Sequence, residues 1–213
     1  MKQKIIIAVM LFTTLTFAQQ TYELTPGVKG NQIVMQLSNI SQTQSAENVE
    51  VKLIKQPENL TFSKTESMIK DINKSEEKEA AFEFDVRYDS KISKADTVEF
   101  LITDNKSINL TKQFIFTYTQ PKEFRLEQNY PNPFNPTTKI RYTVPLNVKR
   151  ERSNVILKVY DILGNEVAIL VNEEKEPGYY EIDFNASNIS SGVYIYRLTA
   201  DKFTSTKKMM VLR

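Results

Sequence analysis

The chain has 213 residues, with 28 basic and 26 acidic side chains, a formal charge of +2, and no cysteine, histidine or tryptophan. Without Cys and His it can build no disulfide, no thiol or Ser-His-Asp nucleophile and no ordinary zinc site. Carboxylate pairs, Lys, Tyr or oxygen-ligated calcium remain, and with no cleft indicated to assemble them no catalytic, cofactor or metal residue is expected. The near-neutral balance lacks the basic footprint of a nucleic-acid binder, and no nucleic-acid partner is expected.

Lys2 and Lys4 open the chain, Ile5 to Leu15 is mostly apolar, and Thr16-Phe17-Ala18 precedes Gln19-Gln20. This tripartite pattern is that of a secretory signal peptide, residues 1–18, with cleavage expected after Ala18. The apolar run of about eleven residues is too short for a bilayer core, which needs about twenty. Removing it discards two lysines and no acid, so the mature chain is formally neutral. No later stretch is apolar enough to span a bilayer, and no transmembrane segment is expected in the mature chain.

From residue 19 to 120 the pattern has a period of two. Ile33, Met35 and Leu37 alternate with polar or smaller neighbours, as do Val49, Val51 and Leu53. Ala80, Phe82, Phe84, Val86 and Tyr88 interleave with Glu83, Asp85 and Arg87, and Val98, Phe100, Ile102 and Phe114, Phe116, Tyr118 continue the series. One apolar face per strand predicts half-buried antiparallel strands. Pro57-Glu58-Asn59, Tyr88-Asp89-Ser90 and Asp104-Asn105 are expected turns, and the charged stretch Lys70 to Lys78 a solvated loop. The spacing predicts an immunoglobulin-like β-sandwich, without the disulfide and packed Trp of antibody domains. Gln120 and then Pro121–Glu123 form a linker, where proline removes a ladder donor.

A second domain, 124–213, repeats the pattern. A short strand at Phe124 to Leu126 is followed by Ile140, Tyr142, Val144 and by Val155, Leu157, Val159. Gly164-Asn165 suits a positive-φ hairpin turn to Val167, Ile169 and Val171. Tyr180, Ile182, Phe184 follow the Pro177-Gly178 turn, then Val193 to Leu198, and Phe203 to Leu212 after an Asp201-Lys202 turn. Seven strands are expected here. The fold class is therefore all-β, two small antiparallel Ig-like β-sandwiches in tandem.

Three segments carry the functional signal. Asn129-Tyr130-Pro131-Asn132-Pro133-Phe134-Asn135-Pro136 is proline-rich and predicts a rigid, extended lead-in whose Tyr130 and Phe134 fill the edge of the core. Gly192-Val193-Tyr194 turns the chain into a core strand, with Tyr194 and Tyr196 on one face. Lys207-Lys208 lies on a short terminal strand, whose edge could be read by strand addition. Asp161, Asn165 and Asp183 are read as turn and surface residues rather than calcium ligands.

Gln128 to Ile140, Ser191 to Leu198 and Lys207 to Arg213 together resemble the type A C-terminal sorting domain of the type IX (Por) secretion system of Bacteroidetes and relatives. The resemblance covers about residues 124–213. It implies that Gly192, Val193, Tyr194, Tyr196, Lys207 and Lys208 belong to the part recognised by the export machinery, with its outer-membrane translocon and C-terminal signal peptidase as partners. It further implies passage through the periplasm to the cell surface or medium, with release or attachment to surface lipopolysaccharide. Residues 19–120 resemble, in cadence only, the small Ig-like modules found beside such domains. The expected function is that of an exported non-enzymatic protein. The alternative is an extracellular carbohydrate- or protein-binding (adhesion) module carried by the Ig-like domain, which exposed loop aromatics would favour.

Overall fold

A computed structural model of the chain describes residues 2–11, 21–91, 95–104, 106–146 and 151–212. Ala18, the expected cleavage point, and Asn105 of one expected turn lie outside the described residues. Among the described residues every regular element is a strand, and the chain divides into two compact units. The first comprises Met1–Arg87 and Ser93–Thr119, the second Tyr88–Ile92 and Gln120–Arg213.

In the first unit one sheet holds β1 (Lys4–Leu11), β3 (Asn31–Asn39), β7 (Glu77–Val86) and β5 (Leu60–Phe62), in the order β1-β3-β7-β5. The facing sheet orders β2 (Thr21–Leu24), β10 (Asn109–Tyr118), β9 (Asp96–Thr103), β4 (Ala46–Lys55) and β6 (Glu66–Ile72) as β2-β10-β9-β4-β6. The alternation of β7 does what its pattern requires: Ala80, Phe82, Phe84 and Val86 are buried while their neighbours face outward. Aromatic contacts join the sheets, Phe82 to Phe100 at 4.6 Å and Phe84 to Phe116 at 5.8 Å between ring centres. Burying side chains of this size contributes about 1.5–3 kcal/mol each, which holds the unit without a disulfide.

Two local expectations are corrected. The pairing is not antiparallel throughout, because β1 runs parallel to β3 and β2 parallel to β10 at the sheet edges. In the uncleaved chain the described part of the expected leader, Lys4–Leu11, lies as an edge strand with Ile5, Val9 and Leu11 buried. Its β-branched residues suit a pleated surface as well as a leader. Lys70 to Lys78 is not one loop: β6 continues to the fully buried Ile72 and β7 begins at Glu77, leaving a turn with Ser75 at φ 57°. Only one residue of β6 is fully buried, so its sequence carries no readable alternation.

In the second unit one sheet orders β11 (Arg125–Leu126), β12 (Thr137–Val144), β15 (Gly178–Asn185) and β8 (Ser90–Lys91) as β11-β12-β15-β8. The other orders β14 (Glu166–Lys175), β13 (Ser153–Tyr160), β16 (Gly192–Ala200) and β17 (Phe203–Val211) as β14-β13-β16-β17. All seven strands expected after residue 124 are present. The eighth, β8, corrects the expected turn at Tyr88-Asp89-Ser90, which instead leads into a strand on β15. Ile140, Tyr142, Val144 and Phe184 from one sheet meet Val155, Leu157, Tyr196, Leu198, Met209 and Val211 from the other in a single core. The β13–β14 turn is as predicted, with Gly164 at φ 89°. The Asp161 carboxylate accepts hydrogen bonds from the amides of Leu163 and Asn165 and from Asn165 Nδ2. The Asn165 side chain leads the effects that hold its pKa below the usual carboxylate value. That engagement is the role of a turn aspartate. No helix among the described residues is long and apolar enough to cross a membrane.

Candidate functional site

The three segments singled out in the sequence converge on β16, β17 and the loop before β12. β16 and β17 pair antiparallel from Gly192↔Val211 to Ala200↔Phe203, so opposed residues share a face. Tyr194, Tyr196 and Leu198 point into the core opposite Met209, Lys207 and Ser205. Val193 and Ile195 point outward opposite Met210 and Lys208.

The two tyrosines are structural. Tyr194 is buried and its hydroxyl donates to the Ser190 carbonyl at 2.9 Å. Tyr196 is fully buried, donates to the Glu127 carbonyl and accepts from the Asn129 amide, both at 2.8 Å. Burial pushes its hydroxyl pKa up to about 12, although the bond from Asn129 pulls the other way. Gly192 begins β16 with no positive φ, and an added Cβ would meet only Tyr194 Cε2 at 3.8 Å. Its backbone therefore does not demand glycine, contrary to the turn role expected of it. Lys207 is half-buried beside Tyr196, and Lys208 is exposed beside Ile195.

The proline-rich segment is not an extended lead-in. Tyr130 and Lys139 exchange backbone hydrogen bonds at 3.0 Å, closing residues 131–138 into a loop. Tyr130 is 80% exposed, so of the two aromatics expected in the core only Phe134 is there, edge-on to Phe184. The reason is local: the short closure between Tyr130 and Lys139 fixes the direction of residue 130 before any core contact can. Asn129 is buried and ties the loop, its Nδ2 donating to the Pro131 carbonyl and to Thr138 Oγ1, each at 3.0 Å. Pro131, Asn132, Pro133, Asn135 and Pro136 are exposed.

This loop also covers half of the terminal edge. Gln128 Nε2 donates to the Lys208 carbonyl at 2.8 Å, and the Met210 amide donates to Asn132 Oδ1 at 2.9 Å. Phe134 then pairs with β17 through its amide to the Met210 carbonyl and its carbonyl from the Leu212 amide. By the same alternation Thr204 and Thr206 also direct their backbone outward, and no hydrogen bond to them is made on that side among the described residues. The strand edge open to addition is thus the first half of β17.

What remains on the surface is the outward face of β16–β17: Val193, Ile195, Lys208 and Met210, flanked by Arg197 over the Tyr160 ring at 5.2 Å. Ile195 and Met210 were not singled out in the sequence. Val193-Tyr194-Ile195-Tyr196 is apolar on both faces of a strand, and that double pattern is the signal that marks them. An apolar outer face flanked by the cations Lys208 and Arg197 suits contact with another protein rather than chemistry.

The family model of the secretion system C-terminal sorting domain matches residues 128–212. Similar solved structures include dimeric latent PorU from Porphyromonas gingivalis, 15% identical with a TM-score of 0.34, covering 95% of this chain and 19% of that one. The D0-D1 domain of intimin is 9% identical with a TM-score of 0.31, covering 96% and 97%. The calcium-binding domain CBD12 of CALX1.1 is 9% identical with a TM-score of 0.36, covering 84% and 77%. No curated protein matches this chain. The matched interval takes in the proline-rich loop and β12 to β17, so this part of the chain, residues 128–212, matches the secretion system C-terminal sorting domain family.

Proposed function

We propose that this chain is an exported, non-enzymatic protein whose second unit hands it to the outer-membrane translocon of the type IX system, and that the outward face of β16–β17 is what the machinery reads. The observation that carries the reading is the match of residues 128–212 to the sorting family. The same interval leaves Lys208 and Met210 exposed and Val193 and Ile195 half-buried on the outward face, while committing Tyr194 and Tyr196 to the core. The absence of His and Cys supports a role without catalysis. Removal of the domain at the linker by a C-terminal signal peptidase, where Lys122 and Glu123 are exposed, and attachment to surface lipopolysaccharide belong to the same proposal. The adhesion reading of the first unit gains no support, since its described aromatic residues are buried or half-buried rather than displayed on loops.

A reporter exported to the periplasm and fused to residues 120–213 should appear outside a type IX-competent cell. Retention of that fusion in the periplasm, in cells that export the full chain, would sink the proposal. Val193→Asp combined with Lys208→Glu should block export while the domain keeps its β circular dichroism. Deleting residues 207–213 is a poorer test, because it removes Met209 and Val211 from the core and unfolds the domain for structural reasons.

A further inference from the structure

The second unit is discontinuous in sequence, and its discontinuity is built around one side chain. The matched interval supplies β12 and β15 at the centre of their sheet, while the flanking strands β11 and β8 come from outside residues 128–212. β8 adds antiparallel to β15 through Gly178↔Lys91 and Tyr179↔Ser90. Tyr88, just before it, lies under the Arg141 guanidinium at 4.6 Å and edge-on to Tyr179 at 5.5 Å. Its hydroxyl donates to Glu127 Oε1 at 3.1 Å. Arg141 is itself fixed, because its Nε donates to Glu181 Oε2 at 2.7 Å. The ring is thus held on one face, at one edge and at its tip by three residues of β12, β15 and the segment after β11. Burial, followed by the charge of Glu127, raises the Tyr88 pKa and favours the neutral, donating hydroxyl.

We propose that the surface formed by Glu127, Arg141, Tyr179 and the outer edge of β15 is a docking site for a tyrosine-led extended segment, filled in this chain by Tyr88–Lys91. A strand added to a sheet edge gains affinity from backbone bonds and specificity from the side-chain pocket beside it. An aromatic under a guanidinium that is already held by a carboxylate needs no rearrangement to bind. Occupation also covers an edge that would otherwise be free to pair with other chains. The consequence is specific: cutting the linker Pro121–Glu123 does not sever every tie between the sorting domain and the chain before it. This inference stands whether or not the linker is cut in the cell.

The test uses the full chain with a site-specific protease sequence placed between Pro121 and Lys122. After cutting, the two pieces are expected to sediment together at a protein concentration of about 100 μM. Tyr88→Ala should weaken their association roughly tenfold, the scale of one cation–π contact and one hydrogen bond, and Tyr88→Phe only a few-fold. In the uncut chain, Tyr88→Ala should speed hydrogen exchange at the amides of residues 178–180. Should Tyr88→Ala melt the uncut chain, Arg141→Gln probes the same contact from the other side and must weaken association comparably. Pieces that separate at once while both keep their β circular dichroism overturn the proposal. So does a Tyr88→Ala chain whose pieces stay together as tightly as the unsubstituted ones.

Discussion

Replacing Tyr196 and Tyr142 by phenylalanine, one at a time, should move stability in opposite directions. Both rings are fully buried in the core of the second unit, and each substitution removes one hydroxyl. The Tyr196 hydroxyl serves the Glu127 carbonyl and the Asn129 amide at 2.8 Å each. Its loss strands a buried amide, a kind of defect that costs about 1–3 kcal/mol, so Tyr196→Phe should cost about 2 kcal/mol. The Tyr142 hydroxyl is buried with no hydrogen-bond partner among the described residues. Removing it relieves a desolvated polar atom, so Tyr142→Phe should be neutral or stabilising by up to about 1 kcal/mol. Native-state hydrogen exchange at the β16 amides reads the opening of this unit alone, which whole-chain melting does not. At 1.4 kcal/mol per decade, Tyr196→Phe should speed the slowest of these amides roughly thirtyfold, and Tyr142→Phe should leave them unchanged or slower. Equal acceleration in both variants would refute the reasoning, because hydrogen-bond satisfaction would then not be what separates the two hydroxyls.

Three further outcomes are expected. The Tyr196 pKa is raised from 10 to about 12, so the stability linked to its neutral form is complete below pH 10 and lost as pH climbs from there to about 12. Alkaline unfolding followed by circular dichroism should be less steep across that window in Tyr196→Phe, and an unchanged slope would contradict the assignment. Gly192→Ala should shift the melting temperature by no more than about 1 kcal/mol of stability allows, since the added methyl meets an ordinary contact in a strand. A larger loss would mean that the backbone there is strained after all. Phe134→Ala should cost about 3–5 kcal/mol and release the proline-rich loop from β17, seen as faster exchange at the Met210 and Leu212 amides. Full protection of those amides in the variant would show that Gln128 and Asn132 hold the loop without the ring.

Legibility in the sequence followed burial. Where one face of a strand is wholly buried and the other wet, as in β7 with Phe82 and Phe84 against Glu83 and Asp85, the period of two names the strand and its inner face together. β6 has one fully buried residue, so part of its sequence reads as a loop; β1 is apolar on both faces, a pattern that suits a leader and an edge strand alike. The sites divided in the same way. Tyr194 and Tyr196 were legible as one face of a sheet, and Gly164 as a positive-φ turn. Tyr130, apolar beside three prolines, gave no hint of facing solvent, because its direction is set by the bridge to Lys139 rather than by its own chemistry.

The amino-acid order alone determined that the protein is built of strands, that its stability rests on apolar burial without cross-links, and that residues 128–212 match a sorting-domain family. Each of these is written in neighbouring residues or in an absent residue type. Folding in three dimensions decided which edges are closed and by what: the loop at Asn132 and Phe134 on the end of β17, and Tyr88 with β8 on β15. Those pairings join residues tens of positions apart, and a backbone hydrogen bond leaves no trace in the identity of the residue that makes it.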